Sequence, residues 1–167
     1  MPTLIRRQDN GFVAVDDAFT AVTDEADLPR GDVIISLTRF QAEGDRLLSE
    51  GRQVGVRVEP AEEVEALAYD LPRLAVVALA FPKFNDGRAF SSAALLRKRL
   101  GFKGEVRAVG DVFLEQAGMM VRCGFDAFEA ADGVTPDQWA HVAARHRHVY
   151  QRAADARTPA FALRGEA

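Results

Sequence analysis

Apolar runs and alternating stretches divide the chain into short strands and helical segments in a repeating order. The most apolar run is Leu74 to Phe81, LAVVALAF, too short to cross a membrane and the length of a strand buried on both faces. Before it, VIISL (Val33 to Leu37) and VGVRVE (Val54 to Glu59) read as strands. After it come VRAVG (Val106 to Gly110) and FDAFEA (Phe125 to Ala130). Helical patterns separate them. The first is capped by Thr38 and runs through Leu47 and Leu48 to Gly51, and the second opens at Pro60 with Glu62, Glu63 and Glu65 at its positive end. The third runs from Ser91 to Leu100, closed by Gly101, and the fourth from Asp111 or Val112 to Arg122, closed by Gly124. Thr135-Pro136 starts the last, which carries Trp139, His141, His146 and His148 toward Ala154.

Ahead of this rhythm, TLIRRQ and FVAVDD flank Asp9-Asn10-Gly11. The Asn-Gly pair supplies the positive φ angles of a tight hairpin, so residues 1–31 read as a small antiparallel ribbon followed by an acidic connector. The strand-then-helix units predict an α/β fold with a mainly parallel sheet, covered by helices through right-handed crossovers. One domain over residues 1–167 is expected, with a frayed tail over 155–167. Two forms of the sheet fit. LAVVALAF, apolar on both faces, favours a doubly wound sheet with helices on each side. The alternative is a curled sheet resembling part of a TIM barrel. Gly55, Arg57 and Glu59 share one strand face and Glu105 and Arg107 share another, as a polar barrel interior requires.

Composition narrows the function. The 167 residues carry a net charge of −4, with no polybasic run, which argues against nucleic acid and against an anionic membrane surface. No long apolar window and no apolar leader core are present, so no membrane span is expected, and the lone Cys123 suits a reducing cytoplasm. A lone cysteine also removes cysteine-rich metal sites, and His141, His146 and His148 lack the i, i+4 spacing of a metal pair on one helix. No metal is expected. Neither GxGxxG nor GxxxxGK[ST] occurs, so no nucleotide cofactor is indicated.

The loop after LAVVALAF holds the first chemical candidates. Lys83 and Arg88 bracket Asn85-Asp86-Gly87 where a helix begins, and Ser91 lies in its first turn, a pattern suited to a small anion. Asp111 follows the next strand, either as a helix cap or as a partner for Asp86 in general acid–base chemistry. Arg107 differs from the other arginines because it lies mid-strand, where its charge must pair or face a cavity. Arg97, Arg99 and Arg122 are expected to form ion pairs with Glu105, Glu115 and Asp126.

The central stretch resembles a bacterial family known as domain of unknown function 934, whose members run FPxFxDGRxxS…LLRxRxGxxGExRAxGDVxxDQ…RxGFDxFE. Here those positions are Phe81 to Arg88, Ser91, Leu95 to Arg97, Arg99, Gly104-Glu105, Arg107-Ala108, Gly110 to Val112, Gln116 and Gly124 to Glu129, with Glu115 where the pattern has Asp. The resemblance implies an accessory protein of assimilatory sulfite and sulfate reduction. It would act by binding a partner, either sulfite reductase or its electron donor, and it implies no redox cofactor. The other reading is a small α/β enzyme or sensor that holds a sulfur oxyanion or phosphate-like ligand with Lys83, Arg88, Ser91 and Arg107. In that reading Asp86 or Asp111 serves as the base. A third reading makes the chain a homo-oligomer, with Trp139 as an aromatic anchor on the last helix.

Overall fold

A computed structural model describes residues 3–9 and 11–164. Its strands are β1 (Thr3–Gln8), β2 (Gly11–Val15), β3 (Thr20–Ala21), β4 (Val33–Ser36), β5 (Val54–Val58), β6 (Val76–Phe81), β7 (Glu105–Gly110) and β8 (Ala127–Ala130). Its helices are α1 (Leu37–Ser49), α2 (Arg88–Lys98), α3 (Ala117–Cys123), α4 (Pro136–Ala143) and α5 (Ala160–Leu163). The strands form one sheet in the order β2-β1-β8-β7-β6-β5-β4-β3. From β3 to β8 every pair is parallel, while β1 runs antiparallel to both β8 and β2.

That order decides between the two expected forms. Parallel strands laid down consecutively, each crossover of the same hand, put every helix on the same face. The strand order never reverses, so the doubly wound sheet is corrected to the curled alternative, a half-barrel with helices outside. The main core confirms the arrangement. It joins Val33, Ile35, Val56, Val77, Leu79, Phe81, Val106 and Phe128 from the sheet to Leu47, Leu96, Met120 and Trp139 from the helices. The opposite, concave face carries only a small cluster of Ile34, Val76, Ala78, Ala80 and Val109, packed by Phe19 and Ala75 and by no helix residue. LAVVALAF is buried on both faces for that reason: β6 is central, with helices on one side and the interior of the curl on the other.

Local signals hold with specific departures. The ribbon forms as expected and is also the sheet's antiparallel edge; Asn10 of its expected turn lies outside the described residues. The acidic connector contains β3, paired to β4. The cap of α1 is Ser36, whose hydroxyl accepts from the Arg39 N–H at 3.0 Å, and not Thr38. The segment after Pro60 forms two 3₁₀ turns, Val64–Leu67 and Leu71–Arg73, instead of a helix, since Pro72 closes it before a second α-turn can build. The fourth helix starts late, at Ala117, preceded by a 3₁₀ turn over Leu114–Gln116. α4 begins on the expected Thr135-Pro136 capping box but stops at Ala143. Beyond it, Ala144-Arg-His-Arg-His offers no apolar stripe, and the Arg157 guanidinium takes the carbonyls of His146 and Arg147 instead.

Gly110 marks a close approach that positions the carboxyl edge of the sheet. Its φ is +94°, and a Cβ there would sit 2.5 Å from the Phe81 carbonyl oxygen, which also accepts the Asp111 N–H at 2.7 Å. Gly110→Ala is expected to lose at least about 2 kcal/mol through combined strain and clash. Gly51→Ala, also at positive φ (+76°) but with no atom within 4 Å of the added Cβ, is expected to lose about half as much. Thermal melts of the two variants check the ranking.

Candidate functional site

Cross-strand register assembles one charged layer on the concave face. Arg57 lies opposite Ala78, Ala78 opposite Arg107, Arg107 opposite Ala127, and Ala127 opposite Arg6. Three arginines therefore alternate with two alanines across five adjacent strands, each pair of arginines about 9–10 Å apart at the backbone.

Arg107 is the centre of this layer and is fully buried. Its Nε donates to Glu105 at 2.7 Å, and Nη1 donates to Asp17 in the connector at 2.6 Å. The Phe19 ring lies over the guanidinium at 5.8 Å. Burial works against the charge, but the hydrogen bond to Asp17 and the field of Glu105 outweigh it and hold the guanidinium firmly protonated. Nη2 is buried with no hydrogen-bond partner, as is Nε of Arg6, whose Nη2 meets Glu105 at 2.8 Å. Glu129 completes the cluster. Burial pushes its carboxyl above the ordinary 4.5, Arg107 pulls it down, Asp17 pushes it up and Arg57 pulls it down. At the carboxyl ends of β4 and β5 the same face opens into a cleft of about 430 Å³, lined among others by Ile34, Ser36, Arg57, Glu59 and Glu62.

The raised Glu129 carboxyl sets a pH dependence. Between the unfolded value and its higher folded value, the folded state holds more protons than the unfolded one, so this group's contribution to stability falls as pH rises through that window. Glu129→Gln is expected to flatten that loss and to be at least as stable as the parent at pH 7. The difference should vanish in acid below the ordinary carboxylate range. Urea denaturation at stepped pH values checks both.

The loop after β6 is arranged differently. Asp86 accepts from Arg88 Nε at 3.0 Å and Nη2 at 2.7 Å, and from the Arg88 backbone N–H at 3.3 Å. The hydrogen bond and nearby charge of Arg88 hold the Asp86 carboxyl below its usual range, although partial burial opposes this. Asp86 thus already takes the place an anion would occupy at the start of α2. That helix begins at Arg88, a turn earlier than Ser91, which lies exposed on its surface. Lys83 and Asp111 are exposed, and Asp111 caps no helix, since the turn after it starts from Phe113. Arg107 does not join this loop. It is level with Ala78, three residues before the end of β6, which is about 10 Å along the strand.

The structure does unite the two carboxyl-edge loops, through aromatic rings. Phe84 and Phe113 meet edge to face at 5.3 Å and remain 56% and 42% exposed, while Gln116 Nε2 donates to the Phe84 carbonyl at 3.3 Å. The other arginines serve the scaffold. Arg97 bonds the carbonyls of Phe102, Gly104 and Gly124 and pairs with Asp126, tying α2 to the amino ends of β7 and β8. Arg122 pairs with Asp155 at 3.2 Å, a partner the sequence did not suggest. Burial raises the Cys123 thiol, which is the state of an inert cysteine. Trp139 is fully buried on Phe128 at 4.6 Å, so it anchors the core and no exposed interface.

The sequence does not single out Asp17, Phe19 and Arg6, and it marks Glu129 only as a motif position. Asp17 lies 90 residues from the arginine it binds, and only the sheet register brings Arg6 and Glu129 beside that arginine.

A family of bacterial proteins of unknown function, DUF934, matches residues 55–161, which spans β5 through α5 and includes Arg107, Glu129 and the Phe84 loop. The chain belongs to this family. A search of curated proteins finds no match. Among the described residues, no helix is long and apolar enough to cross a membrane, and no group of three or more His, Cys, Asp or Glu residues is placed to hold a metal ion.

Proposed function

We propose that this DUF934 member is an accessory protein of assimilatory sulfite reduction that works in the cytoplasm by docking on a partner enzyme through Phe84 and Phe113. The observation that carries the docking is the aromatic pair itself. Two rings in mutual contact stay about half exposed at the edge where α/β proteins present their functional loops, held in place by the Gln116 bond. Aromatic residues fixed in such loops are the typical anchors of protein interfaces. The metabolic setting rests on the resemblance of the central motifs to a sulfite-assimilation family. The alternative, an oxyanion held by Lys83, Arg88, Ser91 and Arg107 together, meets Asp86 already seated on Arg88 and Arg107 set back along the sheet, level with Ala78, so docking is the reading we prefer.

Surface plasmon resonance against sulfite reductase and against its electron donor tests the proposal. Binding in the micromolar range or tighter to one of them is expected, weakened at least about 30-fold by the double change Phe84→Ala, Phe113→Ala. Absence of binding to both would overturn it, as would binding that the double change leaves untouched. Self-association that the same change abolishes would assign the pair to a homo-oligomer and also overturn the docking reading.

A further inference from the structure

The Asp17 carboxylate occupies a seat on Arg107 that is built for more than it supplies. A guanidinium presents Nη1 and Nη2 side by side, an edge that fits two oxygens of one oxyanion in parallel. Asp17 uses half of that edge. Its Oδ2 takes Nη1 at 2.6 Å, its Oδ1 turns away to accept the Phe19 N–H at 3.0 Å, and Nη2 is left buried and unpartnered. A buried donor without a partner is costly, so an acceptor oxygen supplied to Nη2 of this fully buried arginine would be stabilising. The cross-strand neighbours of Arg107 on this face, Ala78 and Ala127, are small. The covering segment is also lightly held: Asp17 is one-third exposed, and the strand that follows it is only Thr20–Ala21.

We propose that the outer edge of Arg107 is a binding site for a small oxyanion or carboxylate, and that Asp17 is its internal stand-in. The ligand takes Nη1 and Nη2 together, Asp17 is released to solvent, and the Asp17–Phe19 segment lifts from the concave face. Two neighbouring carboxylates temper the affinity without blocking the site. Glu105 is shared with Arg6, and Glu129 faces both Arg107 and Arg57. The displaced segment leads into β3, whose Ala21 lines the cleft that also holds Arg57. This site is independent of the aromatic pair, so it stands or falls apart from the docking reading.

Calorimetry on the full chain with sulfate, phosphate and acetate as probes tests it, the first two being tetrahedral and the third planar. Asp17→Asn removes the competitor's charge and is expected to tighten binding of at least one probe about tenfold or more over the parent. Adding Arg107→Lys to Asp17→Asn, which keeps the charge but loses the two-pronged edge, is expected to return the affinity to the parent level or below. In the parent protein, saturating probe should speed hydrogen exchange at the Phe19 amide, because that N–H loses the Asp17 oxygen it now bonds. Equal affinity in the parent and Asp17→Asn would overturn the proposal. So would a tightening by Asp17→Asn that persists when Arg107→Lys is added, or a Phe19 amide that the probe leaves unchanged.

Discussion

Replacing Arg107 with methionine is expected to destabilise the fold by about 3–5 kcal/mol at neutral pH, one of the two largest effects of any single change considered for this protein. Methionine matches the length of the aliphatic stem but gives up the guanidinium that lies against the Phe19 ring, so the loss combines the charge with that contact. Glu105 would keep Arg6, but Asp17 would lose its partner and Glu129 the stronger of the two cationic influences that pull its carboxyl down. The Glu129 carboxyl, already raised by burial, would be raised further without that cation and would bind a proton more readily. The deficit of Arg107→Met should therefore shrink as pH falls below the ordinary carboxylate range and be greatest near pH 7. Arg107→Lys should fall between the two, since one ammonium cannot serve Glu105 and Asp17 with the fixed fork geometry. Urea denaturation at pH 4 and pH 7 measures both variants. A loss below about 1 kcal/mol at pH 7 would show that the cluster is no more than a solvated ion pair.

Trp139→Ala is expected to cost a similar amount, about 3–5 kcal/mol, for an unrelated reason. The indole is fully buried against Phe128 at 4.6 Å, and removing it opens a cavity where α4 meets the sheet. Its Nε1 is also buried without a hydrogen-bond partner. Trp139→Phe deletes that unsatisfied donor along with part of the ring, so the two terms offset, and its cost should be about 1 kcal/mol or less. The pair of substitutions separates volume from polarity. If phenylalanine proved as damaging as alanine, the indole N–H would have a role in stability that its surroundings do not show.

Much of the fold was legible from local chemistry. Apolar runs of strand length gave β4 to β8, Thr135-Pro136 gave the start of α4, and a positive-φ glycine closes α3 at Gly124. Where the reading missed, a neighbour distant in sequence or a local breaker had decided the outcome. α4 ends at Ala143 because Arg157 satisfies carbonyls that a longer helix would have bonded, and the segment after Pro60 stays in 3₁₀ turns because Pro72 intervenes. Of the proposed anion-binding group, Arg88 is answered by its own neighbour Asp86, two residues away, a contact that spacing alone permits but does not predict.

The sequence by itself determined that β1, β2 and β4 to β8 are strands, that β6 is buried on both faces, and that Arg107 needs a partner, because each follows from periodicity, turn chemistry or the cost of burying a charge. Only the tertiary structure decided that the sheet is singly wound and which partners Arg107 takes. Strand order and register are relations between segments far apart in the chain, set by how one helical layer covers a curling sheet. They place Arg57, Arg107 and Arg6 in one layer and bring Asp17 across 90 residues to the middle of it. No local pattern encodes that layer; it exists only once the strands have been paired.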